Sequence, residues 1–248
     1  LKARLDFVLH WLEARQPDVV GLQELKMDED RFPRLEFEAA GYQAILHGQK
    51  AWNGVAVLAR SPLEPVQVGL PGQEEMGARL LTVRGAGLHF TTVYVPNGKS
   101  VDHEDYPRKL AWLDSLVHYY QENQSAAEAH VLCGDFNVCP AGIDSWNEAD
   151  FHGHVHHTDA ERDRLAALTR WGLVDLFRAK YPDRQQFSWW DYRAGSFHRN
   201  RGLRIDLLYG TTPVAARVVD VVVDRDYRKK KDGMIASDHA PVILELTD

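Results

Sequence analysis

The chain has 248 residues, 44% of them hydrophobic and 26% charged, which suits one large globular α/β domain or two small ones and excludes a chain too apolar-poor to build a core. No apolar run is long enough to span a bilayer and no charged-then-apolar leader opens the chain, so no membrane partner is expected. A net charge of -7 runs against a nucleic-acid partner, because backbone affinity comes from Lys and Arg, yet two stretches are locally basic: Arg193, His198, Arg199, Arg201 and Arg204, then Arg225, Arg228, Lys229, Lys230 and Lys231. These read either as solvated loops or as basic walls around an acidic site.

In chain order, residues 1–16 carry helical periodicity through Leu5, Val8, Leu9 and Leu12 and stop before Pro17. Residues 18–22 form a short buried strand that runs into Gln23 and Glu24. Residues 32–40 are a second helical piece. Strands follow at 55–59, 80–83 and 88–95, the last ending at Pro96-Asn97-Gly98. Residues 105–121 are an amphipathic helix. Residues 130–133 are a buried strand leading into Gly134-Asp135-Phe136-Asn137. A helix at 160–171 precedes a short apolar piece at 173–177, and strands at 205–209, 218–223 and 242–246 close the chain. Nothing divides the sequence, so it is read as one domain over 1–248. Cys133 and Cys139 lack a CxxC spacing and are expected to be buried and reduced, as in a cytoplasmic protein.

Helices alternating with short buried strands indicate a layered α/β fold. Its carboxylates recur at strand ends: Glu24, Asp135, Asp206, and Asp238 beside His239. Strand ends in such folds open onto the functional crevice. One carboxylate there is ordinary, but four, with Asn137 and His239 beside them, imply a shared cluster. Gly98-Lys99-Ser100 lacks the upstream Gly of a phosphate loop, and His103-Glu104 lacks the second His of a zincin helix. The run His152, His154, His156, His157 is read as a polar loop. Carboxylate and amide oxygens suit Mg²⁺ or Mn²⁺, and the matching reaction is phosphoester hydrolysis. Adjacent residues at a strand entrance point in different directions, so Asp238 and His239 are free to face a metal and a phosphate separately. Contact with Asp206 would favour the imidazolium form of His239.

The segments Gly21-Leu22-Gln23-Glu24, Tyr94-Val95-Pro96-Asn97-Gly98, Gly134-Asp135-Phe136-Asn137, Phe187-Ser188-Trp189-Trp190-Asp191-Tyr192-Arg193, Gly202-Leu203-Arg204-Ile205-Asp206 and Ser237-Asp238-His239-Ala240-Pro241 resemble the exonuclease III and AP-endonuclease family, within the endonuclease/exonuclease/phosphatase superfamily. The resemblance covers essentially the whole chain. It implies a four-layer sandwich of two mixed β-sheets face to face, with helices outside. It also implies a Mg²⁺-dependent DNA phosphodiesterase of base excision repair that incises 5′ to abasic sites and works on 3′ ends as a 3′→5′ exonuclease and end-trimming enzyme. Its partner would be double-stranded DNA and its expected state a monomer.

The resemblance carries roles to matching positions. Glu24 corresponds to the Mg²⁺ ligand. Asp135 corresponds to the residue that holds or activates the attacking water, assisted by Asn137. Asp206 and His239 correspond to the coupled pair at the phosphate, and Tyr94 to the phenol that contacts it. The set expected around the metal is Glu24, Asp135, Asn137, Asp238 and His239. Lys26 and Asn97 belong nearby. Trp189, Leu203 and Ile205 match a pocket for a flipped-out abasic sugar. Arg201 and Arg204 are expected to reach phosphates or a groove. Two departures stand out. Leu25 replaces the family's Thr, and the sequence opens at Leu1, just after the point where the family has an interior strand: either that strand precedes the given sequence, or it is absent and weakened metal binding with an exposed sheet edge is expected. A small-molecule phosphoesterase of the same superfamily and an inactive DNA-binding fragment are the rival readings.

Overall fold

A computed structural model describes residues 1–85 and 87–247. Its strands are β1 (Val19–Leu22), β2 (Gln43–His47), β3 (Val55–Ala59), β4 (Glu64–Val68), β5 (Leu80–Gly85), β6 (Leu88–Tyr94), β7 (His130–Asp135), β8 (Leu173–Asp175), β9 (Asp206–Thr211), β10 (Val218–Val223) and β11 (Val242–Leu246). Its α-helices are α1 (Leu5–Arg15), α2 (Arg34–Ala39), α3 (Asp105–Asn123), α4 (Glu148–Phe151), α5 (Asp159–Trp171), α6 (Leu176–Lys180) and α7 (Thr212–Ala215). None of the described helices is long and apolar enough to cross a membrane.

Strands β4-β5-β6-β7-β9-β8 form one mixed six-stranded sheet in that order. Period-2 alternation decides what each face meets. Leu80, Val93, Leu132, Leu207 and Tyr209 pack under Trp112, Leu113, Leu116, Leu165 and Leu168 of α3 and α5. On the opposite face, Leu81 and Val83 meet Val55 and Val57 of β3, while Val131, Cys133 and Leu208 meet Val221 and Leu244. The outer face of β3, through Ala56 and Leu58, is covered by Phe7, Trp11 and Leu12 of α1 and Phe37 of α2. Helix, sheet, sheet and helix therefore stack as four layers. The second layer comes in two pieces, β1-β3-β2 and β10-β11, and among the described residues no strand joins them.

Two glycines set the approach of the layers. A Cβ on Gly21 of β1 would lie 2.7 Å from Thr92 Oγ1 of β6, so its absence lets the layers close and brings Gln23 Nε2 to the same hydroxyl at 2.7 Å. Gly134 of β7 has φ +136°, and a Cβ there would lie 2.0 Å from the Val93 carbonyl oxygen. Gly134→Ala is expected to cost on the order of 3 kcal/mol, the upper end of overpacking penalties, as read by urea unfolding. Unchanged stability would show that β6 yields freely at this point.

Candidate active site

The strand ends converge. Tyr94, the last residue of β6, pairs in register with Asp135, the last residue of β7, and Asp135 pairs with Asp206, the first residue of β9. Three of the expected site residues thus stand in one row across adjacent strands. Glu24 reaches the row from the other layer, on a turn where Glu24 and Lys26 both have positive φ. His239 arrives through a bridge between its backbone and that of Trp189, just before β11. Together they line a cavity of about 200 Å³ bounded by Glu24, Tyr94, Asn97, Asp135, Asn137, His156, Trp189, Leu203, Ile205, Asp238 and His239.

Asp135 is buried. It accepts the Asn137 backbone N–H at 2.9 Å and the Asn137 amide at 3.2 Å. Burial, with the nearby Asp206 charge, outweighs the attraction of His239 and raises its carboxyl well above the usual range. Asn137 is fully engaged: its Nδ2 also donates to the Val95 carbonyl at 3.0 Å, and its Oδ1 accepts from Asn97 at 3.1 Å. His239 Nδ1 lies 2.9 Å from both Asp206 oxygens. Burial alone would discharge the ring, but Asp206 and its neighbours push the His239 pKa up to about 10, so it is an imidazolium at neutral pH. The Tyr94 hydroxyl donates to Glu24, and Lys26 Nζ lies 3.0 Å from the same carboxylate. Burial works against the Glu24 charge, yet these two donors hold its pKa low. Burial and the Glu24 charge push the Tyr94 phenol upward, keeping its proton in place. Asp238 Oδ2 accepts the Trp189 indole N–H at 3.0 Å.

The donor set fits a hard divalent ion: Glu24 and Asp238 supply carboxylate oxygens beside water-accessible space, which suits an ion that keeps several waters and takes one or two carboxylates. Asp135, Asn137 and His239, also expected around the metal, line the same cavity, His239 with its Nδ1 held by Asp206 and Asn137 with its amide bonded to Asp135, Val95 and Asn97.

Arg204 does not lie where it was expected. It is 2% exposed and donates to Asp144 from Nε at 2.6 Å and to Asp175 from Nη2 at 2.7 Å, with Phe177 beneath it, so it faces away from the cavity. Arg201 is exposed and lies over the Trp146 ring at the edge of the Trp189–Leu203–Ile205 cluster. The second basic stretch is mostly committed. Arg228 is buried and donates to the carbonyls of Asp238 and Trp190, while Lys229 and Lys231 pair with Asp226. It supports the Asp238 segment from beneath.

The sequence reading missed His156, whose Nδ1 lies 2.5 Å from the Asn137 carbonyl, and the buried Lys109–Glu161 pair that holds the same carbonyl at 2.7 Å. Burial and the Lys109 ammonium keep His156 neutral. Lys109 on an otherwise apolar helix face was the available signal.

The sequence profile of the Endonuclease/Exonuclease/phosphatase family matches residues 1–239. Exodeoxyribonuclease III of Haemophilus influenzae is 32% identical, with 99% of this chain and 96% of that protein covered. An AP endonuclease structure from Archaeoglobus fulgidus superposes with a TM-score of 0.94 at 33% identity, covering 99% and 95% of the two chains. A 3′-5′ exonuclease from Neisseria meningitidis gives 0.95 at 34% identity, with the same shares covered. The chain belongs to the endonuclease/exonuclease/phosphatase family of hydrolytic enzymes. Within it, the exonuclease III and AP-endonuclease branch is where its relatives lie.

Proposed function

We propose that this chain is a Mg²⁺-dependent DNA phosphodiesterase of base excision repair, which incises 5′ to abasic sites and trims 3′ ends. The observation that carries the reading is a row of acid–base groups, Tyr94, Asp135 and the Asp206–His239 pair, opening beside an apolar wall of Trp189, Leu203 and Ile205. The row suits a phosphodiester. The wall suits a deoxyribose that has lost its base, because such a sugar gives up little stacking when it leaves the helix.

Each residue then has a task. Asp135, held by Asn137, positions and deprotonates the attacking water. Its raised pKa matches a base working near neutrality. The His239 imidazolium, held by Asp206, donates to a non-bridging phosphoryl oxygen and stabilises the charge that grows there. The Tyr94 phenol, whose proton burial and the Glu24 charge hold in place, is a second donor within the same cavity. Glu24 and Asp238 would hold Mg²⁺, or Mn²⁺ in its place, and the bound ion would neutralise charge on the leaving oxygen. Lys26 and Asn97 border this position, and Arg201 at the rim is placed for a DNA phosphate.

The test is cleavage of a labelled duplex carrying one abasic-site analogue, with Mg²⁺ and with EDTA, alongside an inositol phosphate. Incision 5′ to the site that EDTA abolishes supports the reading. Turnover of the small phosphoester without DNA cleavage replaces it with small-molecule hydrolysis. Duplex binding without cleavage under any metal condition makes the chain a binding fragment. Glu24→Gln is expected to raise the Mg²⁺ concentration giving half-maximal rate, because one ligand loses its charge. An unchanged metal requirement would place the ion elsewhere.

A further inference from the structure

The catalytic row occupies one end of β6 and β7, and the other end carries an unrelated cluster. His89 and His130 pair in register at the start of these parallel strands. His89 Nδ1 and His130 Nε2 are 3.1 Å apart. Glu128 Oε2 lies 3.4 Å from His130 Nε2 and 3.8 Å from His89 Nδ1. Among the described residues this is the one group of three His, Cys, Asp or Glu side chains whose ligand atoms all lie within 4.8 Å of one another. His89 precedes Tyr94 by five residues and His130 precedes Asp135 by five, so at the rise of a strand the cluster is about 16 Å from the cavity.

We propose that His89, Glu128 and His130 form a second cation site, for a transition-metal ion of the Zn²⁺ or Co²⁺ kind, which clamps β6 to β7 at the end remote from catalysis.

The spacing supports it. Ligands 2.0–2.2 Å from a tetrahedral ion stand about 3.3–3.6 Å from one another, and the triangle here is 3.1, 3.4 and 3.8 Å. Two imidazoles and one carboxylate select Zn²⁺ or Co²⁺ over Mg²⁺, which prefers oxygen. The scaffold is set before any ion arrives. The His89 N–H donates to the Ala129 carbonyl at 2.8 Å, and Thr211 accepts the His130 N–H and donates to the Glu128 carbonyl. His130 is fully buried, His89 is 19% exposed and Glu128 is 61% exposed, so the site is closed below and open above for entry and a water ligand. Burial and the neighbouring His89 lower the His130 pKa, leaving the neutral imidazole that a metal needs.

One feature sets the strength. An ion on Nε2 puts the ring proton on His130 Nδ1, which is buried without a partner. Loss of such an outer partner typically weakens metal binding by roughly 10–100-fold, so the site is expected to hold its ion less tightly than one with a complete outer shell.

The test titrates the whole protein with Co²⁺ in a large excess of Mg²⁺, which saturates the oxygen cluster. Visible absorption and equilibrium dialysis are the readouts. One tightly held Co²⁺ per chain with the bands of a four-coordinate ion, displaced by Zn²⁺ but not by Mg²⁺, is the expected result. His89→Ala should abolish it, and Glu128→Gln should weaken it more than tenfold, while circular dichroism stays unchanged. The absence of bound Co²⁺ in excess Mg²⁺, or equal binding by His89→Ala, overturns the proposal. Neither readout uses DNA cleavage, so failure here is separable from failure of the functional reading.

Discussion

Asp135→Asn is expected to lower turnover on an abasic duplex by roughly 10²–10⁴, the usual worth of a positioned acid or base, while the protein stays folded. The substitution keeps size and shape but removes the carboxylate proposed to take the water's proton. It has a local cost as well. Asp135 accepts two hydrogen bonds from Asn137, one from the backbone and one from the amide. An Asn side chain has a single acceptor oxygen, so one of these would become a donor facing a donor. The Asn137 amide cannot turn to suit, because its orientation is also fixed by Val95 and Asn97. A buried group left unsatisfied costs about 1–3 kcal/mol, so the melting temperature should fall modestly. DNA affinity, measured with EDTA present, should change little. Near-normal turnover would remove Asp135 from the reaction. A collapse in stability matching the lost activity would make it a structural residue.

What could be read from the sequence followed from period and punctuation. Glu24, Asp135 and Asp206 were legible because each adjoins an apolar run of strand length, and Tyr94 because its strand stops at Pro96-Asn97-Gly98. Two strands were not. β2 offers only three apolar residues between polar ends, and β4 contains Pro65, which argues against a strand except at an edge, where β4 does lie. The apolar piece after Trp171 hid a change of element. Asp175 ends β8 and caps α6, accepting the Arg178 N–H at 3.1 Å, and its position before an apolar run was the available cue. Counting charges failed at Arg228, because a tally of basic residues cannot tell a solvated guanidinium from one buried under carbonyls. His156 was illegible for a different reason: it joins the site through the Asn137 carbonyl and Lys109, both distant from it in sequence. The four layers and an open sheet edge were implied by resemblance, and the second layer, split into β1-β3-β2 and β10-β11, does have such edges.

Arg204 was misplaced although alternation alone would have corrected it. If Leu203 and Ile205 line the cavity, the residue between them must point the other way. There it meets Asp144, which is wholly buried, and Asp175, and its guanidinium makes four hydrogen bonds to their carboxylates. Burial opposes the Arg204 charge, but the two carboxylates raise its pKa far beyond the titrating range. Arg204→Met is therefore expected to strand a buried negative charge. Removing one partner of a buried pair costs about 3–5 kcal/mol, and the lower end applies because Arg178 still reaches Asp144 at 2.5 Å. Urea unfolding should show that loss. The salt dependence of DNA binding separates this role from a phosphate contact, since each neutralised phosphate contributes about 0.9 to the log–log slope. Arg204→Met should leave the slope unchanged, whereas Arg201→Ala at the exposed rim should reduce it by about one contact without affecting stability. The opposite pattern, a shallower slope and an intact fold in Arg204→Met, would return this arginine to the DNA interface.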